Sequence, residues 1–275
     1  MLELNKIHNG NSIDLLKKLD DESIDMVMTS PPYDNLRDYD DCTWNFDIFK
    51  DIAKELFRVV KQGGVIVWVV ADQTKDGSET GTSFKQALFF KEIGFNLHDT
   101  MIFRKHNFIP LTHNRYEQEW EYMFCFSKGK PKTFNPIMVE SKWGGTETWG
   151  KSKMPYADNT YKLKDKTMVN EYKQHGNIFE YMTGKLVNDN IDHPAMFPKQ
   201  LVIDQINTWT NKGDLVLDPF MGSGTTAVAC RERERECGSV LKSLRNMLKS
   251  LMKDYLTKLL NALYLTIKKG KEYEN

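Results

Sequence analysis

Val65–Val70 reads Val-Ile-Val-Trp-Val-Val, and no polar residue interrupts it. A strand with one wet face alternates apolar and polar side chains. An unbroken β-branched run belongs to a strand covered on both faces. Such a strand needs helices above and below its sheet, and the flanking sequence supplies them. Asn11–Lys18 carries Ile13, Leu15, Leu16 and Leu19 at helical spacing, with Ser12 as the expected cap. Phe46–Val60 places Phe46, Phe49, Ile52, Ala53, Leu56 and Phe57 on one face, with Gly63-Gly64 as the expected stop. Thr82–Ile93 reads as a helix ending at Gly94, and Phe197–Trp209 as another. Further strands are expected at Ile24–Thr29, Asp99–Arg104, Glu121–Phe126 and Asp214–Phe220. Strands alternating with helices predict an α/β protein with a three-layer sheet.

Composition agrees with a packed core and excludes wholesale disorder: 40% of the 275 residues are hydrophobic and 12% aromatic. Thirty-eight Lys and Arg balance thirty-eight Asp and Glu, which excludes a polycation that binds nucleic acid by bulk charge. The N-terminal Met-Leu-Glu-Leu-Asn-Lys-Ile-His-Asn-Gly has no basic segment leading into an apolar run, so no secretory signal is expected. Val65–Val70 is too short to span a bilayer. Cys42, Cys125, Cys230 and Cys237 form no C-x-x-C pair, the histidines show no metal spacing, and free thiols in a reducing cytoplasm are expected. No metal site is expected.

The zero net charge hides a polarised chain. Asp14–Asp51 holds eleven acids against four bases, whereas 127–189 holds eleven Lys against seven acids. Periodicity fades over 127–189, and Gly, Lys, Trp, Asn and Tyr accumulate. On composition alone this is either a solvated surface insertion or a nucleic-acid-facing segment.

Two strings sit at strand ends. The first is Asp218-Pro219-Phe220-Met221-Gly222-Ser223-Gly224-Thr225-Thr226, after the apolar Leu215–Leu217 and before a helix beginning at Thr225. Glycines allow a tight turn and close approach of a ligand, and a helix N-terminus offers unpaired N–H groups to an anion. No Lys follows the glycines as a phosphate loop requires, and the third Gly of a dinucleotide fingerprint is missing. A carboxylate suits this loop better than a polyphosphate. The simpler alternative is an ordinary strand–turn–helix corner.

The second is Thr29-Ser30-Pro31-Pro32-Tyr33. Pro-Pro-Tyr by itself is often a rigid turn or a recognition segment. Here Ser30 supplies a hydroxyl, the prolines hold a carbonyl at a fixed angle, and Tyr33 offers a flat face. Together they can clamp a planar heterocycle with an exocyclic amine, which donates to Ser30 Oγ and the Pro31 carbonyl.

With both strings in view, the chain resembles the DNA amino-methyltransferases that act on cytosine-N4 or adenine-N6. The order of catalytic motif, basic insertion and cofactor motif is similar to the beta group, and the resemblance covers roughly 7–237. Asn9-Gly10-Asn11-Ser12 resembles the family's segment near the cofactor adenine. His193-Pro194-Ala195-Met196-Phe197-Pro198 resembles the opening of its cofactor-edge helix.

The resemblance implies a seven-stranded Rossmann-like sheet that binds S-adenosyl-L-methionine at its carboxyl edge. It implies Ser30, Pro31, Pro32 and Tyr33 as the catalytic loop. It assigns Asn11, Pro194, Phe197, Asp218, Pro219, Phe220, Gly222, Ser223, Gly224 and Thr225 to the cofactor. The partner it implies is double-stranded DNA with the target base flipped out, alongside a cognate restriction endonuclease in a restriction–modification setting. Ser at position 30 goes more often with cytosine in this family, and Asp or Asn with adenine. The expected layout is a catalytic half over 1–126, a target-recognition insertion over 127–189, a cofactor half over 190–237 and an atypical tail over 238–275. Lys142, Trp143, Trp149, Lys151 and Lys153 are the expected DNA contacts, because Lys neutralises phosphates and aromatic rings meet bases.

The tail departs from the family pattern. Members continue after the cofactor helix with a strand like Ile-Gly-Phe-Glu-Ile, whose acid holds the cofactor ribose. Here the chain continues Gly238-Ser239-Val240-Leu241-Lys242-Ser243. One reading is an amphipathic basic helix with Leu241, Leu244, Leu248, Leu251, Tyr255 and Leu259 on one stripe. The other is translation out of frame. Permitted codons for Gly238–Leu256, entered two bases late, encode Ile-Gly-Phe-Glu-Ile-Ser-Lys-Lys-Tyr-Val-Glu-Ile-Ala-Asn-Glu-Arg-Leu-Ser. Within this, Met252-Lys253 forces Glu and Asp254-Tyr255 forces Leu. Arg231–Glu236 is an Arg-Glu repeat, which an AG dinucleotide tract encodes and slippage by one unit shifts by two bases. Phase variation, with loss of the ribose acid and part of the sheet, is the expectation on this reading; a solvated helix face is the plainer account of the repeat.

Overall fold

The computed structural model describes residues 3–33, 44–107, 114–147, 153–155, 161–163, 167–183, 198–234 and 236–241. In chain order these form β1 (Lys6–Asn9), α1 (Ser12–Leu16), β2 (Ile24–Thr29), α2 (Phe46–Val59), β3 (Val60–Val70), β4 (Thr74–Lys75), β5 (Ser78–Glu79), α3 (Thr82–Glu92), β6 (Asn96–Lys105) and β7 (Trp120–Ser127). There follow β8 (Met138–Glu140), β9 (Lys153–Pro155), β10 (Tyr161–Leu163), β11 (Tyr172–Gln174), β12 (Ile178–Tyr181), α4 (Lys199–Trp209), β13 (Leu215–Asp218), α5 (Thr225–Glu232) and β14 (Glu236–Leu241).

Eight strands make the main sheet in the order β1-β14-β13-β2-β3-β7-β6-β12. β1, β14, β13, β2 and β3 run parallel, β7 is antiparallel to both β3 and β6, and β12 is parallel to β6. The sheet therefore has one strand more than the seven expected, because Ile178–Tyr181 joins its edge rather than staying in the basic insertion.

The apolar residues of β2 and β3 are divided between two cores. Val27, Ile66, Trp68 and Val70 pack with Leu16 of α1, Leu56 of α2 and Phe90 of α3. Met26, Met28, Val65, Val67 and Val69 pack with Leu201 and Ile206 of α4 and Ala229 of α5. Side chains alternate faces along a strand, so a run covered on both sides has no polar position to offer. Arg58, in the last turn of α2, donates to Leu16 O at 2.9 Å and Leu19 O at 2.8 Å, holding the end of α1 against α2.

Two local expectations are corrected. Gly63-Gly64 does not end a helix: α2 passes directly into β3 at Val60, and the glycines lie inside that strand. The β2–β3 register shifts between Ile24 and Met26. A Cβ on Gly64 would lie 2.9 Å from the Asp25 carbonyl, so the irregularity requires a residue without one. Ser12 is not the cap of α1. Asn11 takes that place, its side chain accepting from Ile13 N at 2.9 Å, which releases Ser12 for a tertiary bond.

The chain divides into two compact units, 3–134 with 177–241, and Asn135–Gly176. In the smaller unit β8 pairs antiparallel with β11, and β9 with β10. The atypical tail begins inside the larger unit. Glu236–Leu241 pairs with β1 on one side and β13 on the other. The expected loss of part of the sheet is thus corrected, because an extended backbone completes a ladder whatever side chains it carries.

Candidate active site

β2 and β13 are parallel neighbours, with Val216 opposite Met26 and Leu217 opposite Val27. Their carboxyl ends open on one edge of the sheet, and this is where the strand order reverses. Open α/β sheets bind ligands at such a point.

Asp218 closes β13 and is buried. Its Oδ1 accepts from Thr29 Oγ1 at 2.6 Å and from Phe220 N at 2.9 Å, and its Oδ2 accepts from Thr226 Oγ1 at 2.7 Å. Burial pushes the Asp218 carboxyl up from 3.8 to about 6, against the lowering effect of these three hydrogen bonds. The carboxylate thus spends its oxygens on bracing the loop. Pro219 O accepts from Ser12 Oγ at 2.8 Å, tying the loop to α1. The Phe220 ring meets Trp44 edge-on at 5.3 Å.

Gly222 and Gly224 take φ of +54° and +84°, which L side chains rarely adopt. A Cβ on Gly224 would meet nothing within 4 Å. Gly224 starts α5 with no side-chain cap, and Ser223 Oγ lies 3.0 Å from Thr225 Oγ1. The first amides of α5 therefore have no side-chain acceptor at the cap, and the space over Gly224 is open. A cofactor that presents a carboxylate fits this donor set. Asn11 lies exposed at the end of β1, on the same sheet edge.

Pro31 and Pro32 are buried, while Ser30 and Tyr33 are half-buried. Ser30 Oγ donates to Tyr33 Oη at 2.9 Å, and Tyr33 Oη donates to Glu121 Oε2 at 2.7 Å. Lys105 Nζ is 2.5 Å from Glu121 Oε1. After β3, Asp72 accepts from Ser83 N at 2.9 Å and from Ser83 Oγ, which caps α3 and fixes the next loop.

The structure thus brings Ser30, Pro31, Pro32 and Tyr33 to the same edge as Asp218, Pro219, Phe220, Gly222, Ser223, Gly224 and Thr225. Pro194 and Phe197 lie outside the described residues, as do Trp149 and Lys151. Lys153 belongs to β9. Lys142 and Trp143 lie in the smaller unit, where Lys142 Nζ sits 5.3 Å from the centre of the exposed Trp143 ring. Sequence reasoning missed Glu121 and Lys105, and gave Thr29 no role beyond opening the Ser-Pro-Pro-Tyr string. The available signal for Glu121 was a carboxylate near the head of an aromatic, apolar strand.

Among the described residues no helix is long and apolar enough to cross a membrane. A family model described as DNA methylase (N6_N4_Mtase) matches residues 24–275. The chain is 44% identical over 254 residues to the orphan methyltransferase M.BamHII of Bacillus amyloliquefaciens, covering 87% of this chain and 92% of that one. Two solved structures have a similar fold. One is PvuII DNA methyltransferase (cytosine-N4-specific), at a TM-score of 0.61 and 19% identity, covering 86% of this chain and 82% of that one. The other is the M1.HpyAVI–SAM complex, at a TM-score of 0.59 and 24% identity, covering 90% and 98%. With both motif loops meeting at the switch point and the family model running through nearly the whole chain, this protein belongs to the N6/N4 DNA methylase family.

Proposed function

We infer that this protein methylates the exocyclic amine of a base flipped out of double-stranded DNA, with S-adenosyl-L-methionine as donor and cytosine-N4 as the preferred target. The observation that carries the reading is the shared edge: the Ser30 loop adjoins the glycine loop at the head of α5, and Thr29 and Asp218 join the two. The solved neighbour with bound SAM supports the donor, and the cytosine-N4-specific neighbour supports the base.

The cofactor supplies an electrophilic methyl group on a sulfonium sulfur. The amides at the head of α5 would hold its carboxylate, Gly222 and Gly224 would leave room for its chain, and Asn11 would serve its adenine. Ser30 Oγ and the Pro31 carbonyl accept the two amine hydrogens, which enriches the nitrogen and aims its lone pair. Tyr33 lies flat against the base. Nitrogen needs no covalent protein intermediate once positioned, and buried Cys125 has its thiol pushed up by burial, which makes it a poor nucleophile. Orientation of this kind supplies about 7 kcal/mol or more in favourable systems.

The smaller unit, with the surrounding 127–189, acts as the target-recognition region. Lys142, Lys151 and Lys153 neutralise phosphates and Trp143 and Trp149 meet bases. The 44% identical relative is named an orphan methyltransferase, which favours action without a companion endonuclease. Adenine-N6 is the second reading, supported by the two activities that the family name covers. Digesting DNA methylated by this chain to nucleosides and weighing them decides between them. N4-methylcytosine is expected, and N6-methyladenine alone would overturn the preference.

For the tail, the reading we favour remains a shifted frame after the Arg-Glu repeat, which leaves this chain a weakened, phase-off form. Sequencing the gene tests it. A tract of AG repeats is expected across Arg231–Glu236; mixed Arg and Glu codons remove the slippage mechanism.

A further inference from the structure

The hydrogen-bond chain that leaves the catalytic loop ends on groups to which no role has been given above. Glu121 begins the inner part of β7, and Lys105 ends β6. These strands are antiparallel with Phe103 opposite Glu121, so Lys105 lies diagonally across from Glu121 on the same face. The Glu121 side chain is only 12% exposed, and Lys105 Nζ at 2.5 Å compensates its charge. Glu121 Oε2 then faces the Tyr33 hydroxyl at 2.7 Å.

A carboxylate accepts hydrogen bonds and donates none. The Tyr33 hydrogen is therefore committed to Glu121, and the Tyr33 oxygen is left to accept. Ser30 Oγ, at 2.9 Å, supplies that donor. With its one hydrogen directed to Tyr33, Ser30 turns lone pairs toward the edge. The reverse polarity would set a serine hydrogen against the N–H of an incoming amine.

We propose that Glu121, held by Lys105, is a positioning residue that fixes the direction of the Tyr33–Ser30 hydrogen-bond chain, so that Ser30 presents an acceptor to the target amine. This rests on the amine-methylation reading given above. Neither residue touches the base. Their effect passes through Tyr33, which also gains a fixed ring plane from the anchored hydroxyl.

The test uses the full chain with Glu121→Gln, Glu121→Asp and Tyr33→Phe variants. In protein labelled with 13Cζ-tyrosine, the Tyr33 resonance is the one that Tyr33→Phe removes. Glu121→Gln, which can donate as well as accept, is expected to move that resonance while the other tyrosine resonances hold. Single-turnover methylation of unmethylated mixed-sequence DNA is expected to fall roughly 10- to 100-fold, the loss that a charge-assisted hydrogen bond accounts for. S-adenosyl-L-methionine affinity by calorimetry stays unchanged, and Glu121→Asp restores part of the rate. An unmoved Tyr33 resonance in Glu121→Gln overturns the chain of bonds. A moved resonance with an unchanged rate overturns the positioning role. A wild-type chain that methylates no DNA moves the rate measurement to the frame-restored chain, whose inactivity would refute the functional reading instead, while the resonance still decides whether Glu121 orients Tyr33.

Discussion

Thr29 Oγ1 donates to Asp218 Oδ1 at 2.6 Å across adjacent strands, 189 residues apart in sequence. The residue before the Ser-Pro-Pro-Tyr loop is thereby bonded to the residue that opens the glycine loop. Any displacement of one loop is felt by the other through a buried, charge-assisted bond.

Thr29→Val keeps the shape of the side chain and removes one of the three donors to Asp218. Leaving a buried carboxylate short of a partner costs about 1–3 kcal/mol. Urea unfolding at neutral pH should show a lower midpoint with an unchanged slope. Equal midpoints would mean that the bond contributes nothing net.

Asp218 also predicts a pH dependence. Its carboxyl stands at about 6 when folded against an ordinary 3.8. Between those values the folded chain retains a proton that the unfolded chain has released, so stability falls as pH rises from about 4 to about 6 and levels above. The full effect is about 3 kcal/mol. Relative to Asp218→Asn, the parent chain should lose that amount between pH 4 and pH 7 in denaturant titrations. Parallel profiles for the two proteins would contradict it.

Ser30→Ala should lower the single-turnover rate by more than it weakens DNA or cofactor binding, as the proposed bond from the reacting amine to its hydroxyl requires. A reduction of roughly 10-fold or more is expected from one lost hydrogen bond to a group that gains charge. Retention of the parent rate would remove Ser30 from the chemistry.

Lys142→Ala should flatten the salt dependence of DNA binding. One phosphate contact contributes about 0.9 to the slope of log affinity against log salt. Trp143→Ala should weaken binding with little change of slope. An unaltered slope in Lys142→Ala would take that lysine out of the interface.

On the proposed frameshift, restoring the frame with the permitted codons given above places Glu at position 241, in the strand Glu236–Leu241. If this acid holds the ribose, the restored chain should bind S-adenosyl-L-methionine roughly 10- to 100-fold more tightly by calorimetry. Equal affinities would show that the tail as it stands costs the site nothing.

Much of the architecture is legible in the sequence because it follows from local periodicity. Val65–Val70 could be placed as a buried strand from its unbroken apolar character, Ile24–Thr29 from an apolar run broken by Asp25, and Asp218–Thr226 as a strand–turn–helix from its glycines. Strand order was not legible, nor was the use of Ile178–Tyr181 as an edge strand, since four residues between Asn177 and Met182 are too few to show a period. The double glycine misled because Gly63-Gly64 ends a helix or permits a bulge equally well, and only the nearby Asp25 carbonyl decides.

By itself the sequence determined the fold class, the two loops and the chemistry each can support, because turn residues and reactive groups are written in contiguous strings. Only the tertiary structure decided what those loops touch. Thr29 meets Asp218, and Tyr33 meets Glu121 beside Lys105, because strands distant in sequence lie side by side in the sheet. Such pairings depend on register across strands, a long-range quantity that no local pattern of side chains encodes.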